Sequence, residues 1–257
     1  MMNTQYLTDL LPLLCLGLVT FMLAGFVKGV VGLGLPTVAV GLLGLAMPTA
    51  QAAALLIVPS LVTNVWQLLA GPRFAALARR LWPMLAGICV GTWAGGGWLA
   101  NGGHLAGMAL GIALLAYAAL GLAAVRLHVP KHWSAAHVSA LGGGIGVATG
   151  LVTAATGVFV IPAVPFLQAL DLERDDLVQA LGLSFTVSTV ALAAGLARDG
   201  IFHGHAMGVS LLALAPALGG MYFGQWVRGR VSATAFRRCF FVGLAMLGAE
   251  LVIQHLR

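Results

Sequence analysis

Apolar residues come in long blocks from one end of the chain to the other, with short polar breaks between them. A helix needs about 20 apolar residues to cross a hydrocarbon core of about 30 Å. The blocks therefore predict membrane helices at 7–28, 50–70, 81–100, 104–125, 137–153, 176–197, 205–227 and 235–255. Two further apolar segments, 35–47 and 158–170, are shorter. At 1.5 Å per residue they reach only about 20 Å, too little to span. Each follows a glycine-bearing interruption. The first holds Gly25, Gly29, Gly32 and Gly34 before Pro36; the second holds Gly150 and Gly157 before Pro162. Each short segment thus pairs with the helix before it as a broken, re-entrant hairpin.

The two interruptions belong to a weak internal repeat. Gly25, Gly29 and Gly32 align with Gly150, Ala154 and Gly157. Gln51-Ala52 aligns with Gln179-Ala180, Ser60 with Ser188, and Gly91 and Gly95 with Gly220 and Gly224. The offset grows from 125 at Gly25 to 129 at Gly95, as small loop insertions would produce. Ordered but weak symmetry of this kind marks transporter repeats. The expected fold is an all-α integral membrane protein. It would be an inverted repeat of two halves, 1–128 and 129–257, each with one broken hairpin plus three transmembrane helices, in one membrane domain.

Charge selects the topology. If each hairpin returns to the side it entered, the loops at 71–80, 126–136, 171–175 and 228–238 share one side. That side then holds Arg73, Arg79, Arg80, Arg126, Lys131, Arg174, Arg228, Arg230, Arg237 and Arg238, against Arg198 and Arg257 on the other. If each broken unit crosses once, the same residues divide seven to five. The first arrangement fits the positive-inside rule better and places both termini outside the cytoplasm.

Composition narrows the class. Of 257 residues 60% are hydrophobic and only 8% charged, against about 25% charged in ordinary soluble domains. The formal charge of +6 lies in short loops, with no basic tract interleaved with aromatics, so topology explains it and nucleic acid is not an expected partner. Cys15, Cys89 and Cys239 are far apart, which supports neither a zinc site nor a redox pair. The first apolar run has no basic flank or small-residue cleavage site and reads as a retained membrane segment. Gly91/Gly95, Gly107/Gly111, Gly142/Gly146/Gly150 and Gly220/Gly224 have the spacing that lets membrane helices approach closely.

Candidate chemistry follows from the breaks. Non-helical backbone at membrane depth is tolerated only inside protein or beside a watery cavity. Two breaks related by a repeat therefore point to one central cavity. Pro36 and Pro162 suit the starts of half-helices. The N–H groups after Gly32 and Gly157 would favour an anion. Lys28 is the one basic residue embedded in an apolar run. An ionised side chain there costs about 2.5–3.5 kcal/mol on insertion scales. Its functional role would be to neutralise an anionic substrate; the structural alternative is snorkelling to the headgroups. The repeat partner Thr153 is uncharged. Ser60, Thr63, Asn64 and Gln67 fall on one helical face, and Ser184, Thr186 and Ser188 stand in the corresponding later span. These line a pathway or tie helices together. Thr156 either donates to an anion oxygen or bonds back to its own helix. His128, His132 and His137 read as a solvated loop, His203 and His205 as interfacial, and Glu250 as reaching the outer interface. No cofactor or metal is expected.

The paired glycine-bearing breaks before prolines, the stretch Pro59-Ser-Leu-Val-Thr-Asn64-Val-Trp-Gln67, and Gly220-x-x-x-Gly224 followed by Arg228 resemble the TauE/SafE sulfite-exporter family, also called the 4-toluene sulfonate uptake permeases. The resemblance covers about residues 15–255. It implies a multi-pass transporter of the bacterial inner membrane for small sulfur-containing anions such as sulfite, sulfoacetate and related organosulfonates. It also implies a secondary carrier, with protons as the candidate coupling ion.

The sequence thus predicts a secondary transporter working by alternating access, with a midplane site between the two broken helices. The expected substrate-binding residues are Lys28, Gly32, Gly34, Ser60, Asn64, Gln67, Thr153, Thr156, Gly157, Ser184 and Ser188. The partners would be a small anion and membrane lipid, and an oligomer is compatible with the sequence. A passive anion channel is one alternative. An intramembrane hydrolase is another; it would need Ser184 or Ser188 paired with His203.

Overall fold

The structure is a computed structural model that describes residues 4–123, 128–130 and 132–256; Arg126, Lys131 and Arg257 from the charge count lie outside them. Among the described residues the regular structure is helical. The elements are α1 (Thr4–Val31), α2 (Leu35–Leu43), α3 (Thr49–Leu69), α4 (Phe74–Ala94), α5 (Trp98–Asn101), α6 (His104–Leu122), α7 (Ala135–Thr156), α8 (Ala163–Ala169), α9 (Arg174–Arg198), α10 (Gly204–Leu212), α11 (Leu214–Arg228) and α12 (Ala233–Leu256). Among the described residues seven stretches are long and apolar enough to cross a bilayer: α3, α4 with α5, α6, α7, α9, α10 with α11, and α12 from Thr234. Cys15–Val31 of α1 adds a shorter apolar helix. The chain has the architecture of a multi-pass membrane protein.

The breaks are narrower than expected. Helix α1 continues through Gly29 to Val31, and only Gly32, Leu33 and Gly34 leave it. Gly32 and Gly34 take φ of 83° and 104°, a region an L side chain enters only at a cost. Pro36 sits in the first turn of α2, where its missing N–H costs nothing. Helix α7 likewise runs through Thr153 to Thr156 and stops at Gly157. Residues 158–162, expected as helix, are non-helical, and α8 begins only at Ala163. Proline restrains the backbone of the residue before it, here Ile161, away from the helical region.

Other boundaries also have local causes. Helix α4 starts at Phe74 rather than 81, because its exposed first turns let Arg79 and Arg80 lie on the helix surface. It stops at Gly95-Gly96-Gly97, where Gly97 has φ 83°. The expected span 205–227 is divided at Ala213. Pro216 lacks the N–H that would bind the carbonyl of Leu212, so the helix is interrupted there.

Small residues set the packing. Helices α1 and α11 run side by side in the same direction, with Gly25 against Ala217, Gly220 against Met22, and Gly29 against Gly224. Helices α4 and α7 do the same, with Gly150 against Ile88, Gly91 against Val147, and Gly95 against Ala154. A methyl group at Gly25, Gly29, Gly91, Gly150, Gly220 or Gly224 would strike backbone. The expected close approach at these glycines is present. Each contact of the first pair recurs in the second at the sequence offsets noted above: 25 and 217 correspond to 150 and 88, 22 and 220 to 147 and 91, and 29 and 224 to 154 and 95.

Helices α3 and α9 cross the middle in opposite directions. Asn64 bonds Thr189 at 3.2 Å, while Gln179 bonds the carbonyl of Leu68 at 2.8 Å. The loop after α3 meets the start of α9, where Arg73 pairs with Asp176 at 3.0 Å. At the opposite end the N–H of Gly97 bonds Asp199 at 3.1 Å. Helix α2 follows α12: Gly34 lies against Phe240, Gly41 against Leu247, and the carbonyl of Leu45 accepts from Gln254 at 3.3 Å. The α1–α2 hairpin therefore returns to the end from which α1 came. Its tip points to the Arg73 end; the tip of the α7–α8 hairpin points to the Asp199 end.

The two breaks do not meet at one depth. Gly32 lies beside Gln67 on α3, and Gly157 lies against Ala53 on the same helix. Fourteen residues of α3 separate those contacts, about 21 Å at 1.5 Å per residue. The expectation of two breaks sharing one midplane position is corrected accordingly. Each hairpin runs well past the middle before it turns, so its tip lies nearer one end.

Candidate functional site

The site is built on α1, α3 and α9. Lys28 stands one helical turn before the first break. It is only 5% exposed, and its ammonium donates to Thr63 Oγ1 at 3.0 Å and to Asn64 Oδ1. It does not snorkel to an interface. Lys28 is the only charged residue buried among the described residues, and its hydrogen-bond partners are neutral.

The polar stripe of α3 faces it. Thr63 Oγ1 donates to the carbonyl of Pro59 at 2.7 Å, which leaves its lone pair for Lys28. Asn64 uses both ends of its amide: Oδ1 accepts from Lys28 and Nδ2 donates to Thr189 Oγ1. Thr189 in turn donates to the carbonyl of Phe185 at 2.7 Å. One turn further along, Gln67 Nε2 donates to the carbonyl of Gly32 at 3.3 Å. That carbonyl is available because the helix ends there. Thr37 closes the loop by donating to the carbonyl of Gly34 at 2.8 Å.

Among the described residues several buried polar atoms have no hydrogen-bond partner: Ser60 Oγ, Gln67 Oε1, Ser184 Oγ, Ser188 Oγ and Thr92 Oγ1. The first two lie on the same face of α3 as Asn64, and the serines at 184 and 188 lie on α9, packed against α3. Leaving a polar group buried and unpaired costs about 1–3 kcal/mol each. Each of these atoms is free to bond a polar ligand, and Ser60 and Gln67 share the face of α3 that holds the partners of Lys28.

The second break offers less. Thr153 donates to the carbonyl of Thr149, and Thr156 to that of Val152, both at 2.7 Å. Thr156 Oγ1 also accepts from the N–H of Val158 at 3.1 Å. Both hydroxyls are therefore engaged with local backbone, as one of the two sequence readings of Thr156 had it. Val158, Phe159, Val160 and Ile161 are buried, and Phe159 packs on Phe185 with ring centroids 5.5 Å apart. The structure thus brings together Lys28, Gly32, Ser60, Asn64 and Gln67. Gly34 lies at the loop beneath them, and Thr153, Thr156 and Gly157 lie along α3 from them. Thr189 was missed by sequence reasoning. Its signal was its place next to Ser188 in the polar stretch of α9.

A family model described as Sulfite exporter TauE/SafE matches residues 17–251. The chain belongs to that family. No curated protein and no solved structure matches it. TauE/SafE proteins are transporters rather than enzymes, and this TauE/SafE chain has membrane-crossing helices to match. Among the described residues the Ser184 and Ser188 hydroxyls have no hydrogen-bond partner, so neither is bonded to His203, which is exposed at the start of α10.

Proposed function

We propose that the chain is a secondary transporter of a small anion, a sulfur oxyanion or organosulfonate, in the bacterial inner membrane. The anion binds at Lys28, with Asn64, Gln67, Ser60 and the α9 serines 184 and 188 around it. The observation that carries this reading is the buried ammonium whose partners among the described residues are neutral, near further buried polar atoms that are unpaired among those residues. An anion supplies the missing negative charge. The complete burial of Ser60, Ser184 and Ser188 supports a carrier in a closed state over an open channel.

Alternating access between two halves, 1–128 and 129–257, is part of the proposal. The support is the recurrence of the α1–α11 contacts in α4–α7 and the opposite directions of the two hairpins. Inverted repeats give two states of similar energy by exchanging the conformations of their halves. Protons are the candidate coupling ion. Labelled sulfite flux into proteoliposomes tests the function: it should saturate with concentration and accelerate when unlabelled sulfite is trapped inside. Flux that rises linearly without such exchange would point to a channel instead.

A further inference from the structure

The site's charge and its unpaired atoms define the guest more closely than the family does. We infer that the substrate is a monovalent oxyanion that carries its own hydrogen-bond donor, an inference that rests on the anion-carrier reading above.

The charge comes first. Lys28 is the sole buried ionisable residue with a basic side chain among the described residues, so the closed site can hold at most one positive charge. A monoanion cancels it. A dianion would leave a net negative charge among apolar helices, and an uncompensated buried charge costs several kcal/mol.

The donor follows from Gln67. The carbonyl of Gly32 accepts from Nε2, so the amide nitrogen is fixed toward the break and Oε1 faces away. Gln67 is 8% exposed, and Oε1 has no partner. An oxyanion with no hydrogen of its own offers Oε1 only another acceptor. A guest with an O–H satisfies it. The spacing suits a small molecule: Gly32 follows Lys28 by four residues at the end of α1, and their partners Asn64 and Gln67 are nearly one turn apart on α3. One turn rises about 5.4 Å, which is within the reach of a guest of a few heavy atoms. The third ammonium hydrogen and the Ser60 hydroxyl remain to hold the oxyanion.

Four probes test this on the full chain in lipid nanodiscs, by calorimetry. Sulfite is titrated from slightly acid to alkaline pH, where it passes from hydrogensulfite to a dianion without a donor. Methanesulfonate is a monoanion with no donor, isethionate a monoanion with a hydroxyl, and sulfoacetate a dianion. Affinity for total sulfite, taken as a ratio to that for methanesulfonate at the same pH, should fall about tenfold per pH unit once the dianion dominates; the ratio cancels any loss of the Lys28 proton. Isethionate should bind about tenfold more tightly than methanesulfonate, and sulfoacetate at least about tenfold more weakly than isethionate. In Gln67→Met the advantage of isethionate over methanesulfonate should vanish; if that variant does not fold, the ranking in the native chain still decides. Sulfoacetate binding as tightly as isethionate, a hydroxyl that adds no affinity, or a sulfite-to-methanesulfonate affinity ratio that does not change with pH overturns this inference alone. No binding by any of the four overturns the carrier reading and this inference with it.

Discussion

Lys28 on α1 donates to Asn64 on α3, and the other end of the same Asn64 amide donates to Thr189 on α9. One side chain thus joins the ammonium to a helix more than a hundred positions later in sequence. The tie holds the break of α1 against the two central helices, so any movement of α1 relative to α9 is felt at the ammonium.

Lys28→Met should weaken sulfite binding by more than about 100-fold, since the ammonium is the only buried positive charge described. The variant should fold. Removing a buried charge that has no acidic partner among the described residues relieves a cost that offsets the donor lost to Asn64 and Thr63, so thermal unfolding in detergent should occur at about the same temperature or higher. Sulfite affinity unchanged in this variant would remove Lys28 from the site.

Thr189→Val keeps the side chain's shape but removes the acceptor for Asn64 Nδ2. The amide then has an unpaired N–H and loses its fixed orientation toward Lys28. Binding should fall by about tenfold, with a stability loss of about 1 kcal/mol, near the upper part of the range for hydrogen bonds between membrane helices. Calorimetry and thermal unfolding on the same sample give the two numbers.

Pro59 interrupts α3 one turn before the site, and Ser210 of α10 repairs the damage. A proline has no N–H for the carbonyl four residues back, which here is Leu55. Ser210 Oγ donates to that carbonyl at 2.8 Å and accepts from the N–H of Val58 at 3.0 Å. Ser210→Ala should cost about 1–2 kcal/mol by thermal or steric-trap unfolding. The double variant with Pro59→Ala should recover most of it, because the helix then satisfies Leu55 by itself.

Gly29→Leu and Gly91→Leu should each abolish folded, monodisperse protein on size-exclusion chromatography, because their added carbons meet backbone of α11 and α7. Gly195→Ala and Gly219→Ala meet nothing within 4 Å and should leave yield and stability unchanged. Equal behaviour of the two sets would contradict the helix pairing.

Orientation can be read by labelling. With Cys15, Cys89 and Cys239 changed to serine, His203→Cys should react with an impermeant maleimide on intact cells. Ser232→Cys should react only after the cells are opened. The reverse pattern would invert the assignment of the arginine-rich side to the cytoplasm.

By itself the sequence determined the environment, the number of apolar segments, the places of the breaks and the identity of the principal polar residues. Those are local properties: hydropathy over about 20 residues selects lipid, glycine permits a left-handed turn, and an i, i+3, i+4, i+7 stripe shares a face whatever its neighbours. It also suggested that Lys28 and Asn64 matter, because a charge or an amide in an apolar run is costly unless it has a partner. Only the tertiary structure decided who those partners are. The break after Lys28 meets Gln67 while the break at Gly157 meets Ala53, because helix lengths and glycine contacts fix how far each hairpin runs before it turns. The hydroxyls of Thr153 and Thr156 turn inward to their own helix, whereas those of Ser60, Ser184 and Ser188 stay unpaired. Residue type is the same or nearly so in both groups. Which of them meet a carbonyl and which remain free depends on the rotamer that packing allows.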